Sequence, residues 1–197
     1  MCKNMTIELS WEDKKTLLKI AREAIQKKAR DEKIPVLEVD SFAPPLRKKR
    51  ASFVTLTKRG DLRGCIGTLE VEQPLVKDVQ VRALAAAFHD FRFPPVSPEE
   101  IGEITIEVSV LTKPRTLDYN SPVDLVHELE PGLDGVVLSD GYHKATFLPQ
   151  VWEKLPDVET FLSRLCYKMG VKPDLWREKK LDVKTYRVIK CSEKDLH

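Results

Sequence analysis

Between Ile104 and Val110 apolar and polar side chains alternate without a break: Ile104, Ile106, Val108 and Val110 are interleaved with Thr105, Glu107 and Ser109. Successive side chains of an extended strand point to opposite faces, so this run sorts into one buried face and one wetter face. A helix would scatter the same residues around its surface. The chain must therefore build a sheet with one face on a core, and the remaining segments read as whatever covers that face.

Ser10 opens a first helix, with Asp13 three residues on as in a capping box. Leu17, Leu18, Ala21, Ala24 and Ile25 recur at helical spacing, and the pattern runs out near Glu32. Pro35, Pro44 and Pro45 then exclude regular helix from the linker that follows. Ser52 to Thr57 is β-branched and aromatic, Lys58 to Asp61 reads as a turn, and Leu62 to Leu69 returns as its hairpin partner. Pro74 suits the first turn of a second helix carrying Leu75, Val79, Ala83 and Ala86 on one side, closed by Phe91 to Pro95. Val136–Leu138 and Lys144–Leu148 flank Asp140-Gly141 as a second hairpin. Val158, Phe161, Leu162, Leu165, Cys166 and Met169 mark a third helix ending at Gly170, and Val183 to Ile189 reads as a last strand. Hairpins and helices mixed in no βαβ rhythm predict an α+β fold, a mainly antiparallel β-sheet flanked by helices.

A chain of 197 residues suits one domain, residues 1–197, with its core within about 10–190. At 42% hydrophobic and 32% charged it is too apolar to be disordered. The net charge of +2 supplies no general field for nucleic acid or an anionic membrane, which leaves only the local basic run Leu46 to Arg50. The apolar run Ala83 to Phe88 is far too short to cross a bilayer, and the first residues lack the apolar stretch of a secretory signal. Cysteines at 2, 65, 166 and 191 show no paired spacing, so reduced thiols, a cytoplasmic location and no metal or other cofactor are expected.

Chemistry concentrates at Leu62-Arg63-Gly64-Cys65-Ile66-Gly67. Glycine inside a strand marks a bulge or a close backbone approach, and here two bracket a cysteine. In a regular strand Arg63 and Cys65 share a face, where a guanidinium favours the thiolate. The plainer alternative is that the glycines allow tight helix–sheet packing around a small buried thiol. His89-Asp90 follows the second helix and offers a proton-handling pair, although a histidine there also suits helix-end carbonyls. His127, His143 and His197 carry weaker signals, and four dispersed histidines lack zinc spacing. Phosphate-loop, dinucleotide and GxSxG patterns are absent from the sequence.

From Leu62 to Thr68 the sequence resembles the signature of the AMMECR family. Phe53 to Leu56 before it, Asp90 with Arg92 to Val96 after it, Ile106 to Thr112, Gly135 to Leu138, Ala145 to Val151, and Leu165 to Gly170 are similar to further blocks of that family, in the same order. Phe91 departs from the pattern, standing where proline is common, and Gly132 to Gly135 replaces an approach that usually contains histidine. The resemblance implies a mixed α/β fold with a larger and a smaller lobe, and Memo-like and radical-SAM proteins as partners. It centres attention on Cys65, His89 and Asp90 as candidate catalytic residues and on Arg63, Gly64, Gly67 and Arg92 as candidate binding residues. The expected protein is an accessory protein or enzyme with a cleft lined by Cys65 and Arg63, acting on a small molecule or protein. The alternative is a non-catalytic binding module for a protein or nucleic-acid partner.

Overall fold

The computed structural model of the chain describes residues 9–196. They fall into two units: the first holds the described residues up to Thr112 together with those from Ile189 onward, and the second is Lys113–Val188. Cys2 and His197 lie outside the described residues.

In the first unit α1 (Trp11–Ala29) starts with the expected capping box, Ser10 Oγ accepting the Asp13 N–H at 3.1 Å and Asp13 Oδ2 accepting the Ser10 N–H at 3.0 Å. It stops short of Glu32 because Asp31 adopts a left-handed conformation, φ 57°. The proline linker is less extended than expected. Residues Val39–Ser41 make a 3-10 turn, and α2 (Pro44–Arg47) begins on the very prolines taken to exclude helix. At the first helical positions a missing N–H costs nothing, so proline favours a turn there.

Strands β1 (Ser52–Lys58) and β2 (Asp61–Gly67) form the expected hairpin across Arg59-Gly60, both at positive φ. Helix α3 (Leu75–Phe88) follows Pro74, the 3-10 turn Pro98–Gly102 leads into β3 (Ile104–Leu111), and β3 pairs antiparallel with β1. Ile104, Ile106, Val108 and Val110 are all buried, while Thr105 and Glu107 are half-buried; at Ser109 the second face closes over as well. Leu17, Ala21 and Ile25 of α1 and Val79, Ala83 and Ala86 of α3 share one core with Val54, Leu56, Ile106 and Val108. Each aliphatic side chain sealed there is worth about 1.5–3 kcal/mol.

The second unit contains β4 (Arg115–Thr116), α4 (Pro122–Glu128), β5 (Gly135–Ser139), β6 (Lys144–Phe147), α5 (Val158–Met169), α6 (Leu175–Glu178) and β7 (Asp182–Tyr186). Its sheet has the order β4-β7-β5-β6. Helix α5 is capped by Asp157 and ends on Gly170 at φ 85°, as its sequence indicated. The Trp152 ring stacks on Phe161 at 3.6 Å between centroids, in a core with Leu138, Leu162, Leu165 and Trp176.

Strand β8 (Val188–Ser192) completes the first sheet, whose order is β2-β1-β3-β8. The single last strand expected over Val183–Ile189 is thus two strands in two sheets. A run of β-formers carries no mark of where the chain changes sheet, because both halves bury residues in the same alternating way. With two four-stranded sheets and six α-helical segments among the described residues the fold is α+β. Among the described residues no helix is long and apolar enough to cross a membrane.

Candidate functional site

The glycine-bracketed motif lies on β2, an outer strand of the first sheet. The pairing of β2 with β1 slips between Leu56–Gly64 and Thr57–Leu62, so Arg63 is the extra residue of a β-bulge. A regular strand was the premise for placing Arg63 and Cys65 on one face, and the bulge removes it. The Arg63 side chain, mostly buried, docks on Glu100 through Nε to Oε1 at 3.1 Å and Nη2 to Oε2 at 2.9 Å. That pairing holds the Glu100 carboxyl down at about 2, against burial, with help from the Ser97 N–H and Lys58.

Gly64 faces α3. A Cβ there would lie 2.2 Å from the carbonyl oxygen of Ala86, so the helix and strand meet backbone to backbone. Strand alternation then turns Cys65 to the opposite face, where the Thr55 hydroxyl, directly across the hairpin, sits 3.2 Å from its half-buried sulfur. Gly67 makes room for a side chain instead, since a Cβ would fall 2.1 Å from the Phe53 ring.

The backbone of Cys65 is held from the outside. Thr68 N–H donates to Ser52 C=O at 3.1 Å, and bonded pairs recur at every second residue of an antiparallel ladder. Cys65 therefore turns its own N–H and C=O toward the open side of the sheet. There Asp90 Oδ2 accepts the N–H at 2.8 Å, and Arg92 Nη2 donates to the C=O at 3.1 Å. The two side chains are themselves joined, Arg92 Nε to Asp90 Oδ1 at 2.8 Å and Nη2 to Oδ2 at 2.6 Å. Together they stand where a neighbouring strand's peptide group would.

The Arg92 guanidinium, followed by the N–H groups of Cys65 and Arg92, keeps the Asp90 carboxyl well below the usual carboxylate range despite burial. A carboxyl this acidic takes up no proton near neutrality. Asp90, and to a smaller extent Cys65, in turn push the Arg92 guanidinium up. The Phe93 ring lies beneath both guanidinium groups, 5.9 Å from Arg63 and 5.5 Å from Arg92.

The structure thus gathers Cys65, Gly64, Asp90 and Arg92 at one point, with Arg63 reaching the same Phe93 ring and Gly67 two residues along. His89 is exposed; it closes α3 through its backbone N–H to Ala85 O at 2.9 Å and joins none of these contacts. Thr55, Phe93 and Glu100 belong to the site and were not singled out. Glu100 was findable, since Ser97-Pro98-Glu99-Glu100 has capping-box spacing and the box forms. Thr55 needed the hairpin register. Among the described residues no cluster of three or more histidine, cysteine, aspartate or glutamate side chains is placed to hold a metal ion.

A two-unit α+β protein with a clamped cysteine on an outer strand is the class these observations define. The AMMECR1 family matches residues 18–191, and the chain belongs to that family. A protein of Methanothermobacter thermautotrophicus is 43% identical over 167 residues, 84% of this chain and 86% of that one. One of Thermofilum pendens is 39% identical over 191 residues, covering 89% and 87%. The crystal structure of an uncharacterised protein from Pyrococcus horikoshii is similar with a TM-score of 0.77 and 33% identity, covering 90% of this chain and 89% of that one.

Proposed function

We propose that the protein is a cytoplasmic, thiol-centred enzyme or accessory protein in which Cys65 meets a group on a small molecule or another protein. The carrying observation is the clamp on Cys65. A buried carboxylate and a guanidinium fix both backbone polar groups of one residue, and that residue, only partly buried, has its sulfur beside a hydroxyl. Such fixation holds a reacting atom in one place, which is what a catalytic or ligand-contacting thiol requires.

In this reading Cys65 is the reacting or contacting group, and the Thr55 O–H donates to its thiolate form. Arg92 is the cation beside it, and Asp90 positions both. Arg63, occupied by Glu100, lies against the same Phe93 ring as Arg92. Memo-like and radical-SAM proteins are the partners to test first.

Alkylation of the folded protein by iodoacetamide, with Cys65→Ala as the control, tests the reading. Cys166 and Cys191 are buried, so the modification expected among the described residues is at Cys65. Thr55→Val is expected to slow that reaction at fixed pH, because the attacking sulfur loses the hydroxyl that holds it in place. A Cys65 that resists alkylation until the protein unfolds would refute the thiol role and leave the non-catalytic binding module in its place.

A further inference from the structure

Between Asp90 and Arg92, both engaged with Cys65, stands a phenylalanine that touches almost nothing: Phe91 is 95% exposed. Its position is fixed. Phe93 N–H donates to Asp90 C=O at 3.0 Å, closing a β-turn with Phe91 and Arg92 at its tip, and Asp90 Oδ1 accepts the Arg92 N–H at 3.2 Å. Phe93 lies against two guanidinium groups, and Pro94 and Pro95 stiffen the exit. The turn thus presents an apolar ring to water on a backbone with little freedom left to lose.

Its surface has a consistent chemistry. His89, Phe91, Arg92, Pro94 and Pro95 are exposed, whereas Asp90, the only acid of the stretch, has a side chain just 1% exposed. The outside of the turn is therefore aromatic, apolar and cationic. Arg92 spends Nε and Nη2 inward and keeps 42% of its side chain in solvent. Rigid aromatic and arginine side chains are the groups that dominate protein interfaces, because little entropy is lost when they are covered.

We infer that the turn from His89 to Pro95 is a protein-docking knob: Phe91 enters an apolar pocket of a partner protein whose rim carries carboxylates facing Arg92. The inference rests on the Cys65 reading and takes a protein as the partner, since a ring protruding between two residues bonded to the Cys65 backbone fits a pocket on another chain.

Tyr142 supplies a matched control, being 94% exposed on a turn of the other unit. The photo-reactive residue p-benzoylphenylalanine is placed at 91 or at 142 in the full chain, and cells of the source organism are irradiated. A discrete adduct at 91 with no counterpart at 142 is expected, and mass spectrometry identifies the crosslinked protein. That protein, purified, is expected to bind the wild-type chain at least tenfold more tightly than Phe91→Ser. Equal adducts at both positions, no adduct at 91, or binding by Phe91→Ser within about twofold of wild type would overturn the inference. Phe91→Ser is expected to leave the alkylation of Cys65 unchanged. Phe91-dependent binding with Cys65 unreactive even in the complex would sustain the knob and sink the thiol reading.

Discussion

In the first sheet the outer strand β2 is held at Cys65 by a carboxylate on its N–H and a guanidinium on its C=O. In the second sheet the outer strand β6 has its Thr146 C=O held by the Lys168 ammonium at 2.9 Å. Both cations lie over a neighbouring ring, Arg92 at 5.5 Å from Phe93 and Lys168 at 5.0 Å from Phe147. The difference is burial. Asp90 is sealed in and locked to Arg92, whereas Lys168 is an exposed flexible chain. An exposed lysine merely covers a strand edge, whereas a buried carboxylate locked to a guanidinium specifies one geometry. The residue so held is a cysteine, and this is the physical reason for placing function there.

The largest expected effect concerns the close approach under the motif. Gly64→Ala drives a Cβ into the backbone of Ala86 and should cost about 3 kcal/mol or prevent folding, measured by urea denaturation. Gly135→Ala, its counterpart in the second unit, meets only the Tyr186 ring and should cost less, about 1–3 kcal/mol. Equal losses would erase the distinction between the sheets. Next, Asp90→Asn should destabilise by about 2–3 kcal/mol, because it leaves a guanidinium and the Cys65 N–H without their anion.

Acid should also separate the two units. Asp90 and Glu100 have folded pKa values below their unfolded ones, so their stabilisation is present above the ordinary carboxyl range and is lost as pH falls. For Glu100 the loss runs between 4.5 and about 2, and Glu100→Gln should remove about 1–3 kcal/mol of it. In the second unit bonds from His143 and Thr160 hold the Asp140 and Asp157 carboxyls down, so these act in the same direction, but burial pushes the Asp134 carboxyl up. Its contribution has the opposite sign, present below the unfolded value and lost as pH rises through the folded one. Urea titrations at about pH 6 and about pH 3, followed residue by residue by NMR, should show the first sheet weakening more on acidification. The smallest effect is Lys168→Ala, expected at under about 1 kcal/mol by the same denaturation.

Where a side chain's partner is near in sequence or follows from a period, the fold was legible. The Ser10–Asp13 box, the alternation of β3, the Arg59-Gly60 hairpin and the Gly170 stop are all local. The four-residue helices α2 and α6 were not, because a single turn has no periodicity to read. In the candidate site the motif drew attention to Cys65, the end of the second helix to Asp90, and the family resemblance to Arg92, each separately. That Asp90 and Arg92 grip Cys65 required the phase of the ladder, which decides whether a residue turns its polar groups inward or outward. Arg63 was paired with Cys65 because glycines in a strand signal a bulge or a close approach without telling which, or at which residue the register slips.

The clamp also imposes an order in time. Cys65 is made well before Asp90 and Arg92, and β3, which takes the other side of β1, comes later still. During synthesis the β1–β2 hairpin therefore waits with both flanks unpaired for about twenty-five residues and with the β3 flank open for about forty, a few seconds at about 5–20 residues per second. A nascent chain in that interval displays the Phe-Val-Thr-Leu strand to any other strand in reach. Variants that slow the formation of α3, which delivers Asp90 to its place, should aggregate during expression even where the finished protein is stable.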